Sequence, residues 1–271
     1  MFAADTLLHR LKRGCQTMAY PDGPAPALPD RHGGALRFDA AKCAAPCSAC
    51  VPVCPTEAVR PGDGADRAEA VTLDLGRCLF CGACVEACPT KAITTTADHR
   101  LATRRREDLI LGGPGREEAR LGEALEAKLL KLFGRSLRLR QVSAGGCNAC
   151  EADTNVLGTI GWDLGRFGIQ FVASPRHADG VLITGPVSRN MELALRKTHA
   201  AVPAPKLVIA LGACAISGGP FAGSPEVCDG ATGILPVDLF IPGCPPHPLT
   251  ILDGLLRLLG RLPDERLQSR R

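Results

Sequence analysis

The stretch Ser143-Ala-Gly-Gly-Cys147-Asn-Ala-Cys150-Glu151 decides how the chain is read. Two cysteines three apart follow an alternating strand pattern, residues 137–142, and a Gly-Gly turn. Glycine lacks the side chain that would hold neighbouring backbone away, so both thiols can face one ion or cluster from a tight loop. Glu151 comes immediately after the second thiol. It is either a helix-starting carboxylate favoured by the helix dipole or a proton relay at a partner interface.

Working outward from this loop toward the C-terminus, residues 169–173, 181–184, 207–211 and 237–241 form short, mostly apolar runs. Such runs suit parallel strands buried on both faces. Helical patterns lie between several of them, notably 189–199, and 249–262 follows the last. The expected fold of residues 137–271 is an α/β, flavodoxin-like domain with an open, mostly parallel sheet. Ligands of such sheets collect beyond the carboxyl ends of the strands, where Cys147, Cys150, Cys214 and Cys244 would converge. Chemistry alone leaves an iron-sulfur cluster and a four-cysteine zinc site both open there.

Toward the N-terminus the chain repeats itself. Cys47, Cys50, Cys54, Pro55, Thr56 and Ala58 recur 34 residues later as Cys81, Cys84, Cys88, Pro89, Thr90 and Ala92. Cys43 and Cys78 differ by 35, so the first copy carries one extra residue between its first two cysteines. Cys78-Leu-Phe-Cys81-Gly-Ala-Cys84-Val-Glu-Ala-Cys88-Pro has the spacing of bacterial ferredoxins, in which the fourth cysteine of each run ligates the other cluster. Cys43, Cys47, Cys50 and Cys88 would hold one 4Fe-4S cluster and Cys78, Cys81, Cys84 and Cys54 the other. Structural zinc instead pairs two CxxC knuckles across a longer loop. An α+β two-cluster ferredoxin domain is therefore expected over residues 37–100.

Residues 1–36 form an N-terminal arm: Leu7, Leu8 and Leu11 among basic residues read either as a short amphipathic helix against a membrane subunit or lipid or as a frayed terminus, followed by an extended Pro-rich stretch. Residues 101–136 are a connector in which 116–133 would form a helix with Leu121, Leu125, Leu129 and Leu132 on one face and Gly134 at its end.

The formal charge of +4 with no long basic run gives no support for nucleic-acid binding. No apolar stretch is long enough to span a membrane, and no signal peptide or twin-arginine leader is evident. Fourteen cysteines in a chain that stays in a reducing compartment point to metal ligation rather than disulfides. Cys15 and Cys228 have no partner in this scheme and read as ordinary thiols. There is neither a G-x-G-x-x-G after a strand nor a phosphate loop, so nicotinamide and ATP binding are not indicated.

These motifs carry a resemblance to known families. Residues 1 to about 108 resemble the two-cluster ferredoxin subunit of formate hydrogenlyase and its complex I counterpart. Residues 127–262 resemble the small subunit of membrane-bound, group 4 NiFe hydrogenases and the related 20 kDa subunit of NADH-quinone oxidoreductase, complex I. The stretches that carry the second likeness are Gly134-Arg-Ser-Leu-Arg-Leu-Arg140, Gly145-Gly-Cys-Asn-Ala-Cys-Glu151, Gly185-Pro-Val-Ser-Arg-Asn190, Gly212-Ala-Cys214 and Pro242-Gly-Cys-Pro-Pro246. Cys147-Asn-Ala-Cys150 is the hydrogenase-like spacing, whereas complex I proteins typically carry adjacent cysteines there.

The resemblance implies an oxidoreductase subunit with three 4Fe-4S clusters, the last a proximal cluster at Cys147, Cys150, Cys214 and Cys244, and no nickel-iron site of its own. Its implied partners are a hydrogenase- or complex I-like large subunit, membrane-embedded proton-pump-like subunits, and a formate dehydrogenase or soluble ferredoxin as donor. The implied location is peripheral, on the cytoplasmic face of the inner membrane. A complex I-like, quinone-reducing assembly is the alternative, and a zinc-stabilised interaction module is a further one.

Overall fold

The computed structural model describes residues 2–29, 32–43, 47–62, 71–112, 118 and 121–262. In chain order the elements are α1 (Phe2–Arg13), β1 (Leu36–Phe38), β2 (Val59–Pro61), β3 (Val71–Asp74), α2 (Ala83–Ala87), β4 (Ile93–Thr95), β5 (Ile110–Leu111), α3 (Ala127–Phe133), β6 (Leu137–Ser143), α4 (Ala149–Val156), β7 (Ile169–Phe171), β8 (Gly180–Thr184), α5 (Arg189–Ala201), β9 (Leu207–Leu211), α6 (Gly212–Ser217), β10 (Leu239–Ile241) and α7 (Pro248–Leu258).

The five C-terminal strands form one sheet in the order β10-β9-β8-β6-β7, and every neighbouring pair is parallel. Numbered within this domain the order is 5-4-3-1-2, the flavodoxin-like arrangement, whose topological switch point falls between β6 and β8. Strands β8 and β9 are buried at every position, which is why their sequences read as unbroken apolar runs. Helices α5 and α6 contribute Leu195 and Ile216 to the core on one face; α4 and α7 pack with the other face.

The N-terminal half builds two small antiparallel sheets, β1-β4 and β2-β3-β5. Strand β5 lies in the segment read as a connector, yet it completes the second of these sheets through Leu73 opposite Leu111. The cores do not divide at the boundary between the halves. Successive residues of a strand point to opposite faces, so Val181 and Ile183 of β8 join a core that also holds Leu36, Phe38, Leu73 and Ile93 of the N-terminal half. Leu182 faces the other way, into a core with Leu252, Leu255 and Leu256 of α7.

Helix α7 is buried at all eleven of its positions, as a helix apolar on most sides must be. Gly254 allows this: a Cβ there would stand 2.8 Å from the Cβ of Ala102, where the connector crosses the helix. The charged exceptions are compensated. Asp253 accepts from Arg257 Nε at 2.8 Å and from the Tyr20 hydroxyl at 2.9 Å. Tyr20 thereby anchors the N-terminal arm on the α/β half, helped by Arg166, which donates to the carbonyls of Met18 and Tyr20.

The long connector helix is the main departure from expectation. Residues 121–126 are not helical, and α3 begins only at Ala127; positions 116, 117, 119 and 120 lie outside the described residues. Gly122 N donates to Ala102 O at 2.7 Å and Leu125 N to Leu258 O at 2.9 Å, so the backbone groups a helix would have used are taken by neighbouring segments. Leu125 is buried by this route, whereas Leu132 is exposed rather than on a packed face. Helix α3 ends at Phe133, immediately before Gly134. At the other end of the chain α1 is helical and carries Leu7, Leu8 and Leu11 in the open. No helix among the described residues is long and apolar enough to cross a membrane.

Candidate metal centre

The twelve cysteines singled out above fall into three groups in space. Cys54, Cys78, Cys81 and Cys84 line one cavity. Cys43, Cys47, Cys50 and Cys88 line a second. In both, the fourth cysteine of one repeat sits with the first three of the other.

The repeat is also visible in the backbone. After Cys54 and after Cys88 the third residue, Glu57 and Lys91 respectively, has positive φ, 51° and 53°. That turn aims the next amide back at the sulfur: Ala58 N donates to Cys54 Sγ at 3.1 Å and Ala92 N to Cys88 Sγ at 3.2 Å. Cys78 gains a donor by a shorter route, the amide of Phe80 two residues on lying 3.2 Å from its Sγ. N–H donors aimed at sulfur favour the thiolate. At Cys88, burial raises the pKa, but the amides of Ile93 and Ala92 outweigh it and hold the thiol below its usual value.

The third group stands at the carboxyl edge of the large sheet. Cys147 and Cys150 follow β6, Cys214 lies in the first turn of α6 directly after β9, and Cys244 follows β10. Burial, then the charges of Cys244 and Cys147, push the Cys214 thiol up to about 11. Cys150 is pushed up in the same way by burial, then Cys214, Glu151, Cys244 and Cys147. Elsewhere, burial and the neighbouring sulfurs push Cys78 up to about 12 and Cys84 to about 11. Crowded buried thiols resist ionisation unless a cationic group joins them, which links their deprotonation to metal binding.

Around the third group the backbone approaches the sulfurs closely, and glycine stands where a side chain would meet them. Gly212 has φ +86°, and a Cβ there would stand 2.7 Å from Cys150 Sγ. Gly219 is similarly close to Cys214 Sγ, at 2.9 Å. Four thiols in each group are soft donors for iron, the donor set that a 4Fe-4S cubane takes. Cys147 and Cys244 remain exposed, so this third site opens toward the surface.

Cys15 is exposed, with its Sγ 3.7 Å from the Thr17 carbonyl. Cys228 Sγ donates to Glu192 Oε2 at 3.5 Å and accepts from Arg189 Nη1 at 3.4 Å. Glu151 lies in the first turn of α4 and is buried, accepting from Thr184 Oγ1 at 2.6 Å. It is not the solvated carboxylate that its helix-start position alone would allow.

Thr184 was missed in the sequence, although a lone hydroxyl closing the apolar run Val181-Leu-Ile-Thr184 marks where that strand reaches a polar site. Gly219 was missed as well, although it stands only five residues after Cys214 in a Gly-Gly-Pro turn.

Residues 147–258 match the family described as NADH ubiquinone oxidoreductase, 20 kDa subunit, and residues 31–92 match the 4Fe-4S dicluster domain. A probable membrane-bound hydrogenase subunit of Pyrococcus furiosus is 42% identical over 136 residues, covering 50% of this chain and 81% of that protein. The chain belongs to the 20 kDa NADH ubiquinone oxidoreductase subunit family.

Other relatives fix the kinship of this 20 kDa family member from both sides. An NADH-quinone oxidoreductase subunit of Clostridium beijerinckii is 44% identical over 118 residues, 43% of this chain and 70% of that one. Formate hydrogenlyase subunit 7 of Escherichia coli is 42% identical over 147 residues, 54% of this chain and 57% of that protein. In this chain the 20 kDa unit is fused behind a 4Fe-4S dicluster domain, so both halves of the expected resemblance are present.

Proposed function

We propose that the chain is the electron-transfer subunit of a membrane-associated, group 4 hydrogenase-like complex and holds three 4Fe-4S clusters. Cys43, Cys47, Cys50 and Cys88 would hold the first, Cys54, Cys78, Cys81 and Cys84 the second, and Cys147, Cys150, Cys214 and Cys244 the third. When bound, each cluster takes up and releases a single electron at a potential set by its ligands, burial and hydrogen bonds to sulfur. The observation that carries the reading is the partition of the first eight thiols into two cavities, each mixing the two repeats.

The chain's own residues support a linear route. Leu79 and Phe80, between two thiols of the second set, line one cavity of about 330 Å³ together with Gly243, Cys244 and His247 of the third. These two sets are neighbours, which leaves the first set as the entry point for a donor such as soluble ferredoxin or a formate dehydrogenase. The amides on Cys54, Cys78 and Cys88 stabilise ligating sulfur, and the apolar walls exclude water. The exposed third site would face a large subunit that carries the catalytic metal, beside membrane-embedded partners and on the cytoplasmic face of the inner membrane. The Cys147-Asn-Ala-Cys150 spacing favours a hydrogenase-type partner over a quinone-reducing one. Glu151, buried beside this site, is proposed as a proton relay to that partner; Glu151→Gln would then slow turnover of the complex at unchanged iron content.

The test is the assembled complex bearing Cys244→Ser. Reduction of the ferredoxin half by dithionite is expected to persist while transfer to the large subunit stops. Full activity of that variant would overturn the assignment.

A further inference from the structure

We propose that the turn 74–78 and helix α6 form a rigid seam that sets the spacing between the second and third cysteine sets, with Gly76 as the positioning residue that lets the two halves close. The proposal rests on the electron-transfer reading above. On the N-terminal side the turn is fixed by its own bonds. Asp74 Oδ1 accepts from Gly76 N at 2.9 Å, and Asp74 Oδ2 pairs with Arg106 Nη2 at 2.5 Å. Cys78 N then donates to Leu75 O at 3.3 Å. Arg77 is held as well, donating to Thr56 O at 3.1 Å while its own carbonyl accepts from Thr56 Oγ1 at 2.8 Å. The turn therefore runs into Cys78 with little freedom.

On the C-terminal side the contact comes from the end of α6. Ser217 Oγ lies 2.9 Å from Gly76 O and 3.1 Å from Ala213 O, so the hydroxyl can serve either carbonyl. A Cβ on Gly76 would stand 2.8 Å from Ile216 Cγ2 and 2.8 Å from Arg106 Cζ. Cys214 is two residues before Ile216 and Cys78 two residues after Gly76. The path from one ligand set to the other thus crosses a single non-covalent contact. Thr103 and Phe240 add an antiparallel bridge between the halves.

Gly76 is not among the glycines with positive φ, so alanine meets no backbone penalty there. What it meets is Ile216 and the end of Arg106. In a close-packed seam the added methyl forces a shift of neighbours rather than filling space. Electron tunnelling falls steeply with distance, so a wedge at Gly76 lengthens the hop without altering any ligand. This separates the seam from the cysteines it positions.

The experiment uses the full chain, loaded anaerobically with iron and sulfide and reduced stepwise, with the magnetic coupling between the second and third clusters read by electron paramagnetic resonance. Gly76→Ala is expected to keep the wild-type iron content and to weaken that coupling. Adding Ile216→Ala, which removes the Cγ2 that the new methyl strikes on α6 and leaves only the end of the long Arg106 side chain to give way, is expected to restore it. Full coupling in Gly76→Ala, or no recovery in the double variant, overturns the proposal. Should Gly76→Ala fail to load, Ser217→Ala takes its place, and unchanged coupling there overturns it equally. A wild-type chain with no third cluster would instead overturn the electron-transfer reading, and the seam with it.

Discussion

At the scale of single residues, Gly212 shows most directly how tightly the third site is built. With φ +86° and a would-be Cβ 2.7 Å from Cys150 Sγ, Gly212→Ala combines backbone strain with displacement of the Cys150 thiol proposed as a ligand. Iron in the loaded chain is expected to fall by about four per molecule, a single cubane, while the ferredoxin half stays loaded. Thr184→Val tests the partner of Glu151: a buried carboxylate that loses its donor costs about 1–3 kcal/mol, seen as a lower denaturant midpoint.

The thiols give a pH signature. Cys84 and Cys214 are raised from about 9 to about 11 by burial and then by neighbouring sulfurs. A folded-state pKa above the unfolded one stabilises the fold below the unfolded value, and this contribution is lost as pH rises through the folded one. The metal-free chain is therefore expected to lose stability between about pH 9 and 11, measured by denaturant titration, and the loaded chain is not. Stability that climbs across that window would contradict the crowding of these thiols.

At the scale of elements, the large sheet was legible because burial on both faces leaves an unmistakable apolar run; residues 207–211 are a strand in both readings. Residues 137–142 were legible for the opposite reason, since alternation survives where one side of a strand is partly open. The connector was misread because Leu121, Leu125, Leu129 and Leu132 satisfy helical spacing, and spacing carries no word of where backbone hydrogen bonds will go. Ala102 and Leu258, which claim the amides of Gly122 and Leu125, are distant in sequence. The docking of the arm was invisible for the same reason. It depends on Tyr20 meeting Asp253 and Arg257 more than 200 residues away. Tyr20→Phe leaves that buried carboxylate one donor short. The expected cost is about 1–2 kcal/mol, together with faster proteolysis of residues 14–29.

At the scale of the whole molecule, the two hydrophobic cores are divided by the faces of the five-stranded sheet, not by the junction of the two halves. Cysteine layout and strand pattern pointed to a ferredoxin domain followed by an α/β domain, but composition could not show that Ile183 and Ile216 would share a core with Leu36 and Leu73. A fragment spanning residues 32–112 retains β1 to β5 and is expected to load two clusters, but to melt below the full chain because its outer face is bared. A fragment of residues 37–100, without β5, is expected to lose iron faster under dilution. Equal melting temperatures for the 32–112 fragment and the full chain would show that the shared core adds nothing.

The central claim is that twelve cysteines in three groups hold three electron-carrying clusters, and metal content tests it most directly. Iron and acid-labile sulfide are to be measured on the anaerobically loaded full chain and on Cys244→Ser, each followed by reductive titration under electron paramagnetic resonance. The account predicts about twelve iron and twelve sulfide with three reducible centres in the wild type, and about eight of each with two centres in the variant. Bound zinc without sulfide or visible absorption, or three intact centres in Cys244→Ser, would contradict it.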